Sequence, residues 1–209
     1  MFGSAERPLE FVPWIGTEYR SSFVGDKGWR GRQTVRMRTN GDRPLLLVDV
    51  DGVISLFGFA AHARPAGRFE MVDGIAHFLS ASAGEHLRRL AEAFEPVWCT
   101  GWEEKANDYL PRALGLDGPW PYLSFERAAG PGRSTQGHWK LDAIDAWCGT
   151  RAVAWIDDAH GDACAAWAAT REAGGAPTLL VTTAPAVGLV EAHVGELLAW
   201  AGELAGATR

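Results

Sequence analysis

From residue 45 onward, short apolar runs alternate with longer segments in which apolar positions recur every three or four residues. Runs at 45–50 (LLLVDV), 96–100 (PVWCT), 152–156 (AVAWI) and 178–182 (TLLVT) have the length and aliphatic content of buried strands, with 121–125 (PYLSF) as a weaker fifth. Between them, 82–94, 102–114, 138–148 and 161–173 carry a helical period, and 187–204 forms a last such segment. Pro111 predicts a kink or an end in the second of these helices. Strands and helices alternating at this spacing imply βαβ crossovers, and hence an α/β fold: a three-layer α/β/α sandwich around a parallel sheet of about five strands.

One segment breaks the alternation. In 53–75 (VISLFGFAAHARPAGRFEMVDGI), apolar residues flank AHARPAGR, which predicts a short hairpin or flap after the first strand, too short for a separate lid domain. Residues 1–44 scatter Phe11, Trp14, Tyr19, Phe23 and Trp29 among Gly, Ser and Arg without sustained period, and read as an irregular N-terminal extension to a domain at 45–209.

Composition narrows the class. Hydrophobic residues make up 47% and charged residues 22% of 209, as in a globular protein with a large core. The net charge of −6 is uneven: residues 1–44 hold eight Lys/Arg against five Asp/Glu and carry +3, so the remainder carries −9. That asymmetry fits either a basic arm for an anionic partner or a solvated terminal segment. Cys99, Cys148 and Cys164 form no CxxC pair, which argues against a disulfide framework and for a reduced, cytoplasmic setting. The N-terminus lacks the basic-then-apolar order of a signal peptide, and the apolar runs fall far short of the ~20 residues of a membrane span. Trp98, Trp147, Trp155 and Trp167 fall on apolar faces and read as core.

Chemistry concentrates at the predicted strand ends, where open parallel sheets place their sites. Asp49 and Asp51 stand two apart at the end of the first run, so their carboxylates would share a face. Such a pair is tolerated with a cation between the acids, with one acid protonated, or with both. A hard cation such as Mg²⁺ takes one or two carboxylates plus other oxygens. Asp157 and Asp158 (WIDDAHGD) supply the other half of a site, their alternative role being to cap the next helix. Thr100 and Gly101 end the run PVWCT before a helix, which suits either anion binding or an N-cap. Lys140 near a helix start reads as a phosphate-facing ammonium or as surface, and Cys99 as a buried structural thiol.

Together these residues resemble the four motifs of the haloacid dehalogenase-like (HAD) superfamily of phosphotransferases, in order LLLVDVDGV, VWCTG, Lys140 in HWKLDAI, and WIDDAHGD, over about residues 45–185. The resemblance implies a Rossmann-like core and a Mg²⁺-dependent phosphatase working through an aspartyl-phosphate. It implies Asp49 as nucleophile and Asp51 as general acid and then base. Thr100 and Lys140 would bind the phosphoryl group, and Mg²⁺ would sit on Asp49, the Asp51 carbonyl and Asp157 or Asp158. Asp157 is favoured as principal ligand, and Asp162 is left as a helix cap. An aspartate at the second position of the first motif points to phosphate transfer rather than dehalogenation.

The spacings Asp49 to Thr100 and Thr100 to Lys140 leave no room for a cap domain, so the chain is similar to capless members, including phosphatase domains of RNA-repair proteins. Substrate contact would then fall to Gly101, to Arg133 in the loop before Lys140, and to His62, Arg64 and Arg68 on the flap, although for each of these four charged residues a solvated loop position is the commoner role. Two alternatives stand beside a phosphatase for a phosphorylated small molecule or macromolecule: a polynucleotide-end phosphatase, and a non-catalytic binding module that keeps the fold.

Overall fold

The structure is a computed structural model and describes residues 43–125 and 138–207. Arg133 and the extension proposed for 1–44, apart from its last two residues, lie outside the described residues.

The first apolar run forms β1 (Leu45–Val48), followed by β2 (Ser55–Leu56), a 3₁₀ turn at Ala61–Ala63, the hairpin β3 (Gly67–Val72) and β4 (Ile75–Ser80), and α1 (Ala83–Ala93). Next come β5 (Glu95–Trp98), a 3₁₀ turn at Glu103–Lys105 and α2 (Ala106–Leu114). The remainder is α3 (Leu141–Cys148), β6 (Val153–Asp157), α4 (Asp162–Ala173), β7 (Thr178–Thr182) and α5 (Glu191–Ala207). The main sheet has the order β5-β1-β6-β7, all parallel, with Leu45 opposite both Glu95 and Val153. The alternating side chains of β1 explain the layers: Leu46 and Val48 enter a core with α1, α2 and α5, whereas Leu45 and Leu47 enter one with α3 and α4. This is the expected Rossmann-like α/β/α sandwich. The chain leaves β1 for β5 on one side and returns to β6 on the other, so the carboxyl end of β1 is the switch point where a crevice opens.

Several expectations need correction. The main sheet has four strands: the fifth run reduces to one bridge, Tyr122 to Trp98, because Pro119 and Pro121 beside it lack backbone donors. The flap is a three-stranded antiparallel sheet of order β2-β4-β3, and its turn falls at Asp73–Gly74 rather than at AHARPAGR, which links β2 to β3 instead. Asp73 (φ 51°) and Gly74 (φ 81°) give the two left-handed positions that a tight Asp-Gly hairpin turn requires. Pro111 does not end its helix. Ala106 and Leu110 anchor α2 in the core and the chain runs on to Gly115, left-handed at φ 66°. Trp98, Trp155 and Trp167 are core as expected, but Trp147 is 45% exposed, since Cys148 makes the apolar contact of that last helical turn. The three cysteines are free and buried.

Candidate functional site

Asp49 directly follows β1 and remains tied to the sheet, its N–H donating to the Ile156 carbonyl at 3.0 Å. Its Oδ1 accepts the N–H of Val50 at 2.8 Å, which fixes the carboxylate against the turn that follows. That turn is closed by Ile54 and Ser55, whose N–H groups both reach the Val50 carbonyl, at 2.8 and 2.9 Å. Gly52 holds φ 72° there, and a Cβ on it would stand 2.4 Å from Asp158 Oδ2, so only glycine fits between the two acidic motifs.

Asp157 is the last residue of β6, next to β1, and is buried together with Asp49, Thr100 and Lys140. The Lys140 ammonium bridges the two aspartates, 2.8 Å from Asp49 Oδ2 and 2.6 Å from Asp157 Oδ2. Asp157 also accepts the Trp155 indole N–H at 3.1 Å on Oδ2 and the Ala159 N–H at 2.9 Å on Oδ1. Oxygens of Asp49, Asp157 and Asp158 all lie within 4.8 Å of one another.

Three carboxylates thus cluster with one ammonium, and when all three are ionised two negative charges remain uncompensated. Burial pushes the Asp49 carboxyl up to about 7; Lys140 resists the rise and the Asp157 charge reinforces it. Burial alone would lower the Lys140 ammonium, yet the charges of Asp49 and Asp157 hold it above its usual range. Asp158, half-buried, is raised by burial and by Asp157. An all-oxygen donor set with this surplus charge fits one divalent hard cation.

Thr100 follows β5 on the other side of β1. Its Oγ1 accepts the Trp102 N–H at 3.3 Å, within the turn that leads into the 3₁₀ segment, and keeps its own proton to donate. Gly101 is exposed at the mouth, and Trp139 lies 3.8 Å from where its Cβ would be. Cys99, fully buried, has its thiol pushed well up by desolvation, which suits a structural role.

The Asp51 side chain does not join this cluster. It is half exposed and turns toward the flap, where Oδ2 accepts the Trp102 indole N–H at 3.0 Å and Oδ1 lies 3.7 Å from His77 Nδ1. Neither His77 nor Trp102 was picked out by sequence reasoning. Trp102, two residues past Thr100, carried a weak signal; His77 carried none until the register of β4 is known. Of the other residues considered, Asp162 is exposed in the first turn of α4 and makes no capping hydrogen bond. Arg68 is engaged by Glu70 at 2.7 Å and by the Ala113 carbonyl at 2.5 Å, so it ties the flap to α2; His62 and Arg64 are exposed. Among the described residues, no helix is long and apolar enough to cross a membrane.

The model of the family described as "HAD domain in Swiss Army Knife RNA repair proteins" matches residues 45–194. That range holds all four acidic residues, Thr100 and Lys140. No curated protein matches the chain.

Proposed function

Because this chain belongs to the family of HAD domains found in Swiss Army Knife RNA repair proteins, we propose that it is a Mg²⁺-dependent phosphoric monoester hydrolase. In this reading it works through an aspartyl-phosphate on Asp49, and its substrate is the phosphorylated end of a polynucleotide. The observation that carries the reading is the buried pair Asp49 and Asp157 bridged by the Lys140 ammonium, with half-buried Asp158 close to both acids, at the switch point of the sheet. The family description supports the substrate class.

Asp49, Asp158 and Asp157 would hold the cation, with the Asp51 carbonyl as the fourth protein ligand carried over from the motif. Asp157 already spends its oxygens on Lys140, Trp155 and Ala159, so Asp158 takes the larger share of the metal. When bound, Mg²⁺ supplies charge neutralisation that lets an anionic nucleophile approach an anionic phosphate.

The remaining steps belong to the chain. The Asp49 carboxylate attacks phosphorus and the ester oxygen leaves, taking a proton from the Asp51 carboxyl. Asp51, now a carboxylate, removes a proton from the water that attacks the aspartyl-phosphate, and inorganic phosphate departs with Asp49 restored. Lys140 balances the charge of the transferring group, while the Thr100 hydroxyl and the Gly101 backbone border its oxygens. The buried floor of the site keeps Lys140 and Asp49 dry, which strengthens both interactions.

The test is phosphate release from small phosphate esters and from 5′- and 3′-phosphorylated RNA oligonucleotides, with Mg²⁺ or with EDTA. Release in Mg²⁺, its loss in EDTA and its loss in Asp49→Asn are the expected results. Undiminished turnover by Asp49→Asn would overturn the nucleophile assignment, and release from small esters alone would remove the polynucleotide end.

A further inference from the structure

We propose that Trp102 and His77 are positioning residues that hold the Asp51 carboxyl for proton transfer, with Oδ2 committed to the indole and Oδ1 left to carry the proton. This rests on the phosphatase reading above and adds to it an atom-level assignment and two residues outside the four motifs.

The geometry is specific. Trp102 Nε1 donates to Asp51 Oδ2 at 3.0 Å, and an indole N–H can only donate, so that oxygen is fixed as an acceptor. The other oxygen, Oδ1, lies 3.7 Å from His77 Nδ1, too far for a direct hydrogen bond, so it is not committed to the ring. Ser55 Oγ holds that same ring nitrogen at 3.0 Å, so the imidazole is fixed from the strand β2 behind it. The two rings pack edge to face, their centroids 4.6 Å apart at 70°, and each limits the rotation of the other. Half exposed and without such contacts, the Asp51 side chain would sample several rotamers, and a proton donor must sit within hydrogen-bond reach of the leaving oxygen.

The flap therefore has a chemical use where the described residues hold no cap domain. β4 carries His77, and its pairing with β2 aligns Ser55 with Leu79, which brings Ser55 and His77 to the same side of Asp51. Trp102 arrives from the turn after Thr100. Flap, phosphate-binding turn and first motif thus meet at one carboxyl group.

Because general-acid help matters most for a poor leaving group, the test compares two substrates in Trp102→Phe and His77→Gln. One is an alkyl phosphate, whose leaving oxygen needs a proton; the other is p-nitrophenyl phosphate, whose phenolate leaves without one. Trp102→Phe keeps an aromatic ring beside His77 while deleting the donor, at the cost of some ring area. The expected result is a fall in kcat/KM, which reports the first phosphoryl transfer and not the later hydrolysis that both esters share, of about tenfold or more on the alkyl ester and clearly less on the aryl ester. Equal losses on both esters, or no loss on either, would overturn the assignment. The indole N–H resonance of Trp102 provides a readout free of turnover: it should shift in Asp51→Ala, and an unmoved resonance denies the contact itself. Hydrolysis of neither ester by the unaltered protein sinks the phosphatase reading and the role built on it, whereas a selective loss in one variant cannot arise unless both stand.

Discussion

At the scale of single residues, the site is held in tension by its own charges. Asp49 titrates from the ordinary 3.8 to about 7 because burial penalises its carboxylate more than Lys140 favours it. The folded chain therefore binds a proton there that the unfolded chain has released, and this group's contribution to stability falls as pH rises from about 4 to about 7. A cation bound by Asp49, Asp157 and Asp158 competes with that proton, so stabilisation by Mg²⁺ should grow over the same range. Thermal unfolding with and without Mg²⁺ should show a larger gain in Tm at pH 8 than at pH 5.5. At about 100 times its dissociation constant the cation adds about 2.7 kcal/mol. In Asp49→Asn the pH dependence of that gain should flatten, and the metal-free variant should match or exceed the unaltered protein at pH 8, since a disfavoured charge is gone. A gain in Tm independent of pH in both proteins would place the cation elsewhere.

At the scale of elements, the flap is a built part of the site. Its hairpin tip is latched to the segment after Thr100: Asp73 binds the Lys105 ammonium at 2.5 Å and the Tyr109 hydroxyl at 2.8 Å. These bonds hold the Asp73 carboxyl below its usual range, so the latch is intact at neutral pH and weakens only as pH falls below the ordinary aspartate range. Exposed pairs of this kind add little to global stability, but they can set local opening. Asp73→Ala should leave the unfolding midpoint nearly unchanged while amide exchange in β3 and β4 quickens; a large loss of global stability, or unchanged exchange, would contradict the latch. The same element shows where sequence reading stops. Asp49, Thr100 and Asp157 were legible because each is a chemically loaded residue at or just after the end of an apolar run, and the parallel sheet brings those ends together, whereas Lys140, at the start of a helix, was legible only through its likeness to the third motif. The Asp-Gly pair at 73–74, lying between MV and IA, is a strong hairpin signal, but the longer Pro- and Gly-containing stretch before it carries a competing turn signal. With the turn misplaced, the register that sets His77 beside Ser55 and Asp51 could not be read, because one residue of slip turns every side chain to the other face.

At the scale of the whole molecule, charge limits what substrate the site can take. Residues 45–209 carry −9, and two of those acids, Asp51 and Asp158, stand partly exposed beside the buried Asp49 and Asp157. A long polyanion laid across such a surface gains few phosphate contacts and meets repulsion beyond the site. Recognition in a polynucleotide-end phosphatase of this build, judged on the described residues, should therefore be confined to the terminal phosphate and its immediate neighbours, with Gly101, Trp139 and the Thr100 turn at the contact. KM for phosphorylated RNA should then be nearly independent of length beyond the first two nucleotides. Its logarithm should rise with the logarithm of salt concentration at a slope of only about 1 to 2, against the steeper dependence of a protein that neutralises many phosphates. Measured from dinucleotide to 20-mer at several salt concentrations, a KM that keeps falling with length, or a slope near that of six contacts, would mean that a basic surface outside the described residues grips the strand.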